Sequence, residues 1–267
     1  MTRNLKITLA YDGAGFSGWQ VQPGRPSVQG ALTEGLFRVT GERVLPQGSG
    51  RTDAGVHALA QVASAAIASP IPLPNLAIAL NHVLPAAIRI LQIEQAAPHF
   101  HARASARAKT YRYRIARAPV CSPFLARYVY HHPWPLDEPA MGEAARLVAG
   151  TYDFTSFAAV DPERSRRHLD LAMRQAGAGD SGTMLPSNVR TLFRSEFNRE
   201  GDELIYEVCG SGFLQHMVRN LVGAFLLVGK GTLAPASIPG ILAARSRNAN
   251  PGATAPACGL YLVNVQY

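Results

Sequence analysis

An α+β fold built from two α/β halves is what this chain predicts, on three observations. Strand-like and helix-like segments alternate from one end to the other. At 47% hydrophobic the 267 residues can bury a core, and no long charged block or low-complexity tract interrupts them. Lys6 to Tyr11 reads as a strand, and Asp12-Gly13 with Gly15 marks a turn. Ser27 caps a helix that carries Val28, Leu32, Leu36 and Val39 at near-helical spacing and closes at Gly41. A Gly-rich loop from Gln47 to Gly55 leads into an extended run through Gln61-Val62-Ala63. A helix over about Asn75 to Val83 follows Pro74 and stops before Pro85, and Ile88 to Ile93 is a strand.

In the second half, Lys109 to Ile115 alternates as a strand. Lys109, Tyr111, Tyr113 and Ile115 fall on one face, and Thr110, Arg112 and Arg114 on the other. A helix is expected from Asp137 to Ala149, stopped by Gly150. Two strands, Val189 to Phe197 and Glu203 to Val208, flank the hairpin signal Asn198-Arg-Glu-Gly-Asp. An apolar helix covers Phe213 to Val228 with Gly229 as its stop, another covers about Ser237 to Ala244, and Gly259 to Val265 is a final strand. The element order divides the chain into residues 1–104 and 105–267. Residues 161–187, polar and Arg-rich, then Gly- and Ser-rich, read as a mobile surface insertion.

Net charge is +8 and the pI near 9.8, with Lys only at 6, 109 and 230, so arginine dominates the cations. Its planar fork suits phosphate and base stacking, which points to a polyanionic partner. The N-terminus has no apolar signal region. The most apolar stretch, Phe213 to Val228, is too short to span a bilayer and is broken by Gln215, His216, Arg219 and Asn220. Cys121, Cys209 and Cys258 are scattered, which suits a reduced cytoplasmic setting with inert thiols.

Several familiar chemistries fail on spacing. Gly229-Lys230-Gly231-Thr232 lacks the phosphate-loop register and closes a helix instead of opening one. His99 and His101 find no third ligand at metal-site spacing, and His131-His132 adds none. No G-x-S-x-G or H-E-x-x-H occurs. Asp53-Ala-Gly and Asp180-Ser-Gly loosely match paired protease aspartates, but Arg51 beside Asp53 opposes a shared proton. No metal and no cofactor are expected.

Three stretches remain. Gly48-Ser-Gly-Arg-Thr-Asp53-Ala-Gly-Val-His57-Ala brackets a cation, a hydroxyl and a carboxylate with glycines that let backbone approach a ligand; an Asx-type turn would look the same in isolation. Phe100 to Arg114 interleaves Arg103, Arg107, Lys109 and further arginines with tyrosines and contains no acid, as phosphate holding and base stacking require. Tyr113 and Ile115 read as core. In Phe213 to Asn220, Arg219 sits on an apolar helix; a part-buried guanidinium there needs a partner, for which Asp53 is the expectation, while a surface arginine beside an apolar stripe would look the same.

Together these stretches closely resemble the motifs of the tRNA pseudouridine synthase A (TruA) family. G-R-T-D-A-G-V-H-A at 50–58 resembles its catalytic-aspartate motif, K-T-Y-R-Y at 109–113 its tyrosine motif, and F-L-Q-H-M-V-R-N at 213–220 its arginine-bearing helix. The likeness extends to Tyr11-Asp-Gly with Gly18-Trp-Gln, Asn81, Phe100-His-Ala-Arg, Asp153-Phe-Thr-Ser-Phe and Gly259-Leu-Tyr-Leu-Val, with 161–187 as a departure in length.

The resemblance implies a two-lobed fold of ferredoxin- or RRM-like halves around an extended mixed, mostly antiparallel sheet. It implies a homodimer bridged by tRNA. The implied reaction is uridine isomerisation at positions 38, 39 and 40 of the anticodon stem-loop; the alternative is a non-catalytic RNA-binding or RNA-folding module that uses the same basic surface. Asp53 would be nucleophile or key base, attacking ribose or uracil or removing a ribose proton. Arg219 would keep it ionised, Tyr111 would pack on the target base, and Arg51 or His57 would contact RNA or displace that base. Arg103, Arg107 and Lys109 would hold phosphates.

Overall fold

The computed structural model describes residues 2–159 and 187–267, so the expected insertion at 161–187 lies outside the described residues except for Ser187. Contacts divide the chain into two compact units. The first comprises Met1–Pro135, Phe193–Gly212 and Pro256–Tyr267, and the second Leu136–Leu192 and Phe213–Ala255. Strands that precede and follow residues 104/105 hydrogen-bond into one sheet.

In the first unit, β1 (Arg3–Tyr11) pairs antiparallel with β3 (His57–Ile67) and β4 (Ile88–Gln95), and the short β2 (Gln47–Gly48) edges onto β3. The terminal strand, β10 (Leu260–Gln266), runs parallel to β3 and antiparallel to β5 (Ala108–Ala116). β5 also pairs antiparallel with β9 (Glu203–Gly210) and parallel with β6 (Tyr130–His131). The sheet is therefore mixed and mostly antiparallel, as expected. Leu5, Ile7, Leu9 and Tyr11 alternate into the core from β1. Beside the sheet lie α1 (Val28–Thr40) and α2 (Leu73–Val83), packed through Leu80 and the cap residue Leu84 against Gly35. Ser27 caps α1 by accepting the N–H of Gly30, and Gly41 ends it at a left-handed φ of 77°. α2 starts two residues before Asn75, because Pro74 falls in the first turn where its missing N–H costs nothing.

In the second unit, Asp137 caps α3 (Glu138–Arg146), which ends sooner than expected. Gly150 does not stop this helix; at φ 127° it opens β7 (Gly150–Asp153), which pairs with the first residues of β8 (Val189–Glu200). The apolar helix α4 (Met217–Gly229) begins four residues after Phe213. The reason is His216, whose left-handed φ of 58° cannot lie inside a helix. Gly229 packs on Met141 and Leu136, while Gly231, at φ 71°, supplies the left-handed turn after the helix. A short α5 (Ile238–Ala244) follows.

The segment 250–255, outside any helix or strand, is bound to α4 by backbone contact and polar bonds. A Cβ on Gly223 would stand 1.9 Å from the Ala253 oxygen, and one on Gly252 would stand 2.5 Å from the Ala224 nitrogen. Asn220 accepts from Thr254 Oγ1 at 2.7 Å, and Arg219 Nε donates to the Ala255 oxygen at 2.7 Å. Among the described residues, no helix is long and apolar enough to cross a membrane.

Gly223→Ala will force backbone apart on the helix that carries Arg219. The expected loss is about 1–3 kcal/mol, seen as a lower urea midpoint at unchanged m-value. An unchanged midpoint would mean that 250–255 can lift away freely.

Candidate active site

The loop carrying Asp53 lies on the backbone that follows β1. A Cβ on Gly13 would fall 2.0 Å from the Val56 oxygen, and one on Gly18 would fall 2.5 Å from the Thr52 oxygen. Gly18 also holds φ at 96°, so only glycine meets both demands without strain. Hydrogen bonds close the contact: Trp19 N–H to the Thr52 oxygen at 3.1 Å and Gly55 N–H to the Phe16 oxygen at 3.3 Å. The Trp19 indole covers Gly48, where a Cβ would meet the ring at 2.5 Å. Inside the loop, Val56 N–H returns to the Asp53 oxygen at 3.2 Å, and Gly55 turns at φ 79°. Asp53 itself is half-buried, Thr52 buried and Arg51 exposed.

Beneath the loop runs a buried polar network. Tyr11 and Thr52 hydroxyls share a bond of 2.9 Å, and Gln61 reaches Tyr11, Ser49 and Gly50. Burial pushes the Tyr11 phenol up to about 12, against the opposing bonds from Thr52 and Gln61. Sequence reasoning missed Gln61; the available signal was a lone amide in an otherwise small and apolar strand.

On β5 the expected division of faces holds. Tyr111 and Tyr113 are buried, and Tyr113 donates to the Pro256 oxygen at 2.8 Å. Burial raises the Tyr111 phenol far above its ordinary value, and the nearby Tyr11 and Asp53 raise it further. Tyr111 is thus a neutral ring and hydroxyl beside the Asp53 carboxylate. On the opposite face Arg114 makes a two-pronged pair with Glu203 at 2.6–2.7 Å, and Arg112 contacts Glu207 at 2.8 Å. Those two cations are neutralised in place. Arg103 and Arg107 stand exposed, whereas Lys109 is half-buried and donates to the Ser49 oxygen. His101 spends Nδ1 on the N–H groups of Arg103 and Ala104.

His57 is 2% exposed, which places it behind the loop and not on its face. Nδ1 accepts the Gly13 N–H at 3.1 Å, so the neutral ring carries its proton on Nε2. Nε2 is buried without a hydrogen-bond partner, and backbone of Arg127 and Cys258 beside the ring favours its protonated form. The ring stacks on Tyr261 at 4.8 Å. Asp12 Oδ1 lies 3.2 Å from Nδ1, but burial outweighs its attraction and holds the imidazole below the ordinary 6.5. An imidazole so placed supports the turn at Gly13 that underlies the loop.

In the second unit, Arg219 is half-buried on α4, with Nε fixed to the Ala255 oxygen.

A sequence model described as tRNA pseudouridine synthase matches residues 7–103 and 144–267. Similar proteins include a tRNA pseudouridine synthase A of Solibacter usitatus, 49% identical over 99% of this chain and 100% of its own. One from Moorella thermoacetica is 43% identical over 98% of this chain and 99% of its own, and one from Geobacillus kaustophilus 41% over 100% and 95%.

His57 sets a pH dependence. Its folded value is depressed, so below 6.5 the unfolded chain takes up a proton that the folded one refuses. Stability is complete above that pH and falls as pH drops toward the folded value. His57→Asn keeps an acceptor for Gly13 and removes the titration, so melting temperature measured from pH 7.5 to 5 should slope less than in the wild type. Equal slopes would assign the acid sensitivity elsewhere.

Proposed function

This chain belongs to the tRNA pseudouridine synthase family, and from that premise we propose that it isomerises uridine to pseudouridine at positions 38, 39 and 40 of the tRNA anticodon stem-loop. The supporting observation is the juxtaposition of a rigidly backed Asp53 with a buried, neutral Tyr111. In the reaction the bond from C1′ to uracil N1 breaks, the base turns, and C1′ bonds to C5. C5 releases its hydrogen as a proton and N1 gains one, so nothing is oxidised or reduced.

Asp53 is the reacting carboxylate, as nucleophile toward ribose or uracil or as base toward a ribose proton. Arg219 takes the part of the cation that offsets a carboxylate once substrate excludes water, and its Nε is held by the Ala255 oxygen. Tyr111 packs on the target base and, being neutral, can donate a hydrogen bond. Arg51, exposed two residues before Asp53, contacts the RNA and helps to displace the base from its stack, at a cost of a few kcal/mol. Arg103 and Arg107 hold phosphates. The enzyme works in the cytoplasm as a homodimer on which one tRNA bridges both subunits.

Asp53→Asn should lower turnover by about 10⁴-fold or more while tRNA affinity, measured by filter binding, stays near that of the wild type. Substantial residual turnover would remove Asp53 from the chemistry. Arg103→Ala with Arg107→Ala should weaken binding and reduce the slope of log affinity against log salt by about 2. An unchanged slope would move the phosphate contacts to other residues.

A further inference from the structure

We propose that Gln61 and Lys109 act as positioning residues, a two-sided clamp that fixes Ser49 and Gly50 and thereby the backbone from which Asp53 projects; this rests on Asp53 being the reacting carboxylate. Gln61 is 0% exposed on β3, and its amide is fully used. Oε1 accepts from Ser49 Oγ at 2.5 Å and from the Val62 N–H at 3.1 Å. Nε2 donates to the Gly50 oxygen at 3.1 Å and to Tyr11 Oη at 3.4 Å. Two donors and two acceptor sites are all that a glutamine has. Three of the four partners are the loop and the tyrosine that holds Thr52.

Lys109 completes the clamp from β5. Its ammonium donates to the Ser49 oxygen, and a Cβ on Gly50 would lie 3.1 Å from Nζ. Ser49 N–H is in turn bonded to the Val62 oxygen at 2.8 Å. The N–H, C=O and hydroxyl of Ser49 are therefore all engaged. β10 lies between β3 and β5, so the loop is tied to strands on both sides of it.

A half-buried ammonium spent on a backbone carbonyl is badly placed to recruit phosphate, which separates Lys109 from the exposed Arg103 and Arg107. A charge-assisted bond to a carbonyl is also stronger than a neutral one. Displacing a reacting group by about 1 Å can cost about 100-fold in rate, and releasing Ser49 and Gly50 slackens the chain three residues before Asp53.

Lys109→Met, Lys109→Arg and Gln61→Met are compared with the wild type by single-turnover rate at saturating tRNA, by tRNA affinity across salt, and by amide exchange over residues 47–56. For Lys109→Met and Gln61→Met the clamp predicts rates lower by about 10- to 100-fold, unchanged affinity and salt slope, and faster exchange in the loop. Lys109→Arg, which restores a cationic donor, recovers part of the rate. Should Gln61→Met unfold, as a melting curve would show, Lys109→Met carries the test. A normal saturating rate with weaker, less salt-dependent binding would make Lys109 an RNA contact and overturn the clamp, as would unchanged exchange over 47–56. A wild type inactive on tRNA would defeat the functional reading, and the exchange data would still decide the clamp.

Discussion

Backbone lying directly on backbone, at Gly13 and Gly18, is the constraint on which the site depends. Any side chain at either position would occupy the space of the Val56 or Thr52 carbonyl. The loop is thereby pressed down until its polar atoms meet the buried hydroxyl of Tyr11 and the amide of Gln61. Polar groups at that depth are costly unless paired, and here the pairs are made between the loop and its support. His57 acts on the same contact from below, holding the turn at Gly13 with a ring that burial keeps neutral. A flexible Gly-rich sequence is in this way converted into a fixed platform for a carboxylate.

Charge is sorted by the alternation of β5. Thr110, Arg112 and Arg114 face one way, and the two arginines are matched by Glu207 and Glu203. Lys109 and Tyr111 face the Asp53 loop. The net +8 of the chain is therefore not spread evenly over its cations. Paired arginines contribute little long-range field, and exposed ones such as Arg51, Arg103 and Arg107 carry the attraction for a polyanion.

Much of this was legible from residue order. Ser27 and Gly41 bounded α1 because cap and left-handed stop are local chemistry. The faces of β5 followed from alternation alone, and the aspartate loop from its glycines. Long-range demands were not legible. His216 takes a left-handed conformation that no local pattern requires, so α4 starts a turn later than its apolar spacing predicts. Gly150 looked like a helix stop and instead opens a strand, while Gly229 is small because Met141 and Leu136 need the room. The resemblance puts His57 at the RNA, and only the fold shows the ring buried with Tyr261 stacked upon it. Gln61 was invisible as a support because its partners come from β1 and the loop, far away in sequence.

Base isomerisation by the Asp53 loop is the proposal that separates an enzyme from a protein that only binds RNA. Hydrogen release decides it, since joining C1′ to C5 must expel the C5 hydrogen while binding expels nothing. Unmodified tRNA carrying tritium at uridine C5 is incubated with the wild-type protein, and label in the solvent is counted. Release that reaches a stoichiometric plateau per tRNA is the predicted result. No release from tRNA that demonstrably binds would contradict isomerisation and leave a non-catalytic RNA-binding protein.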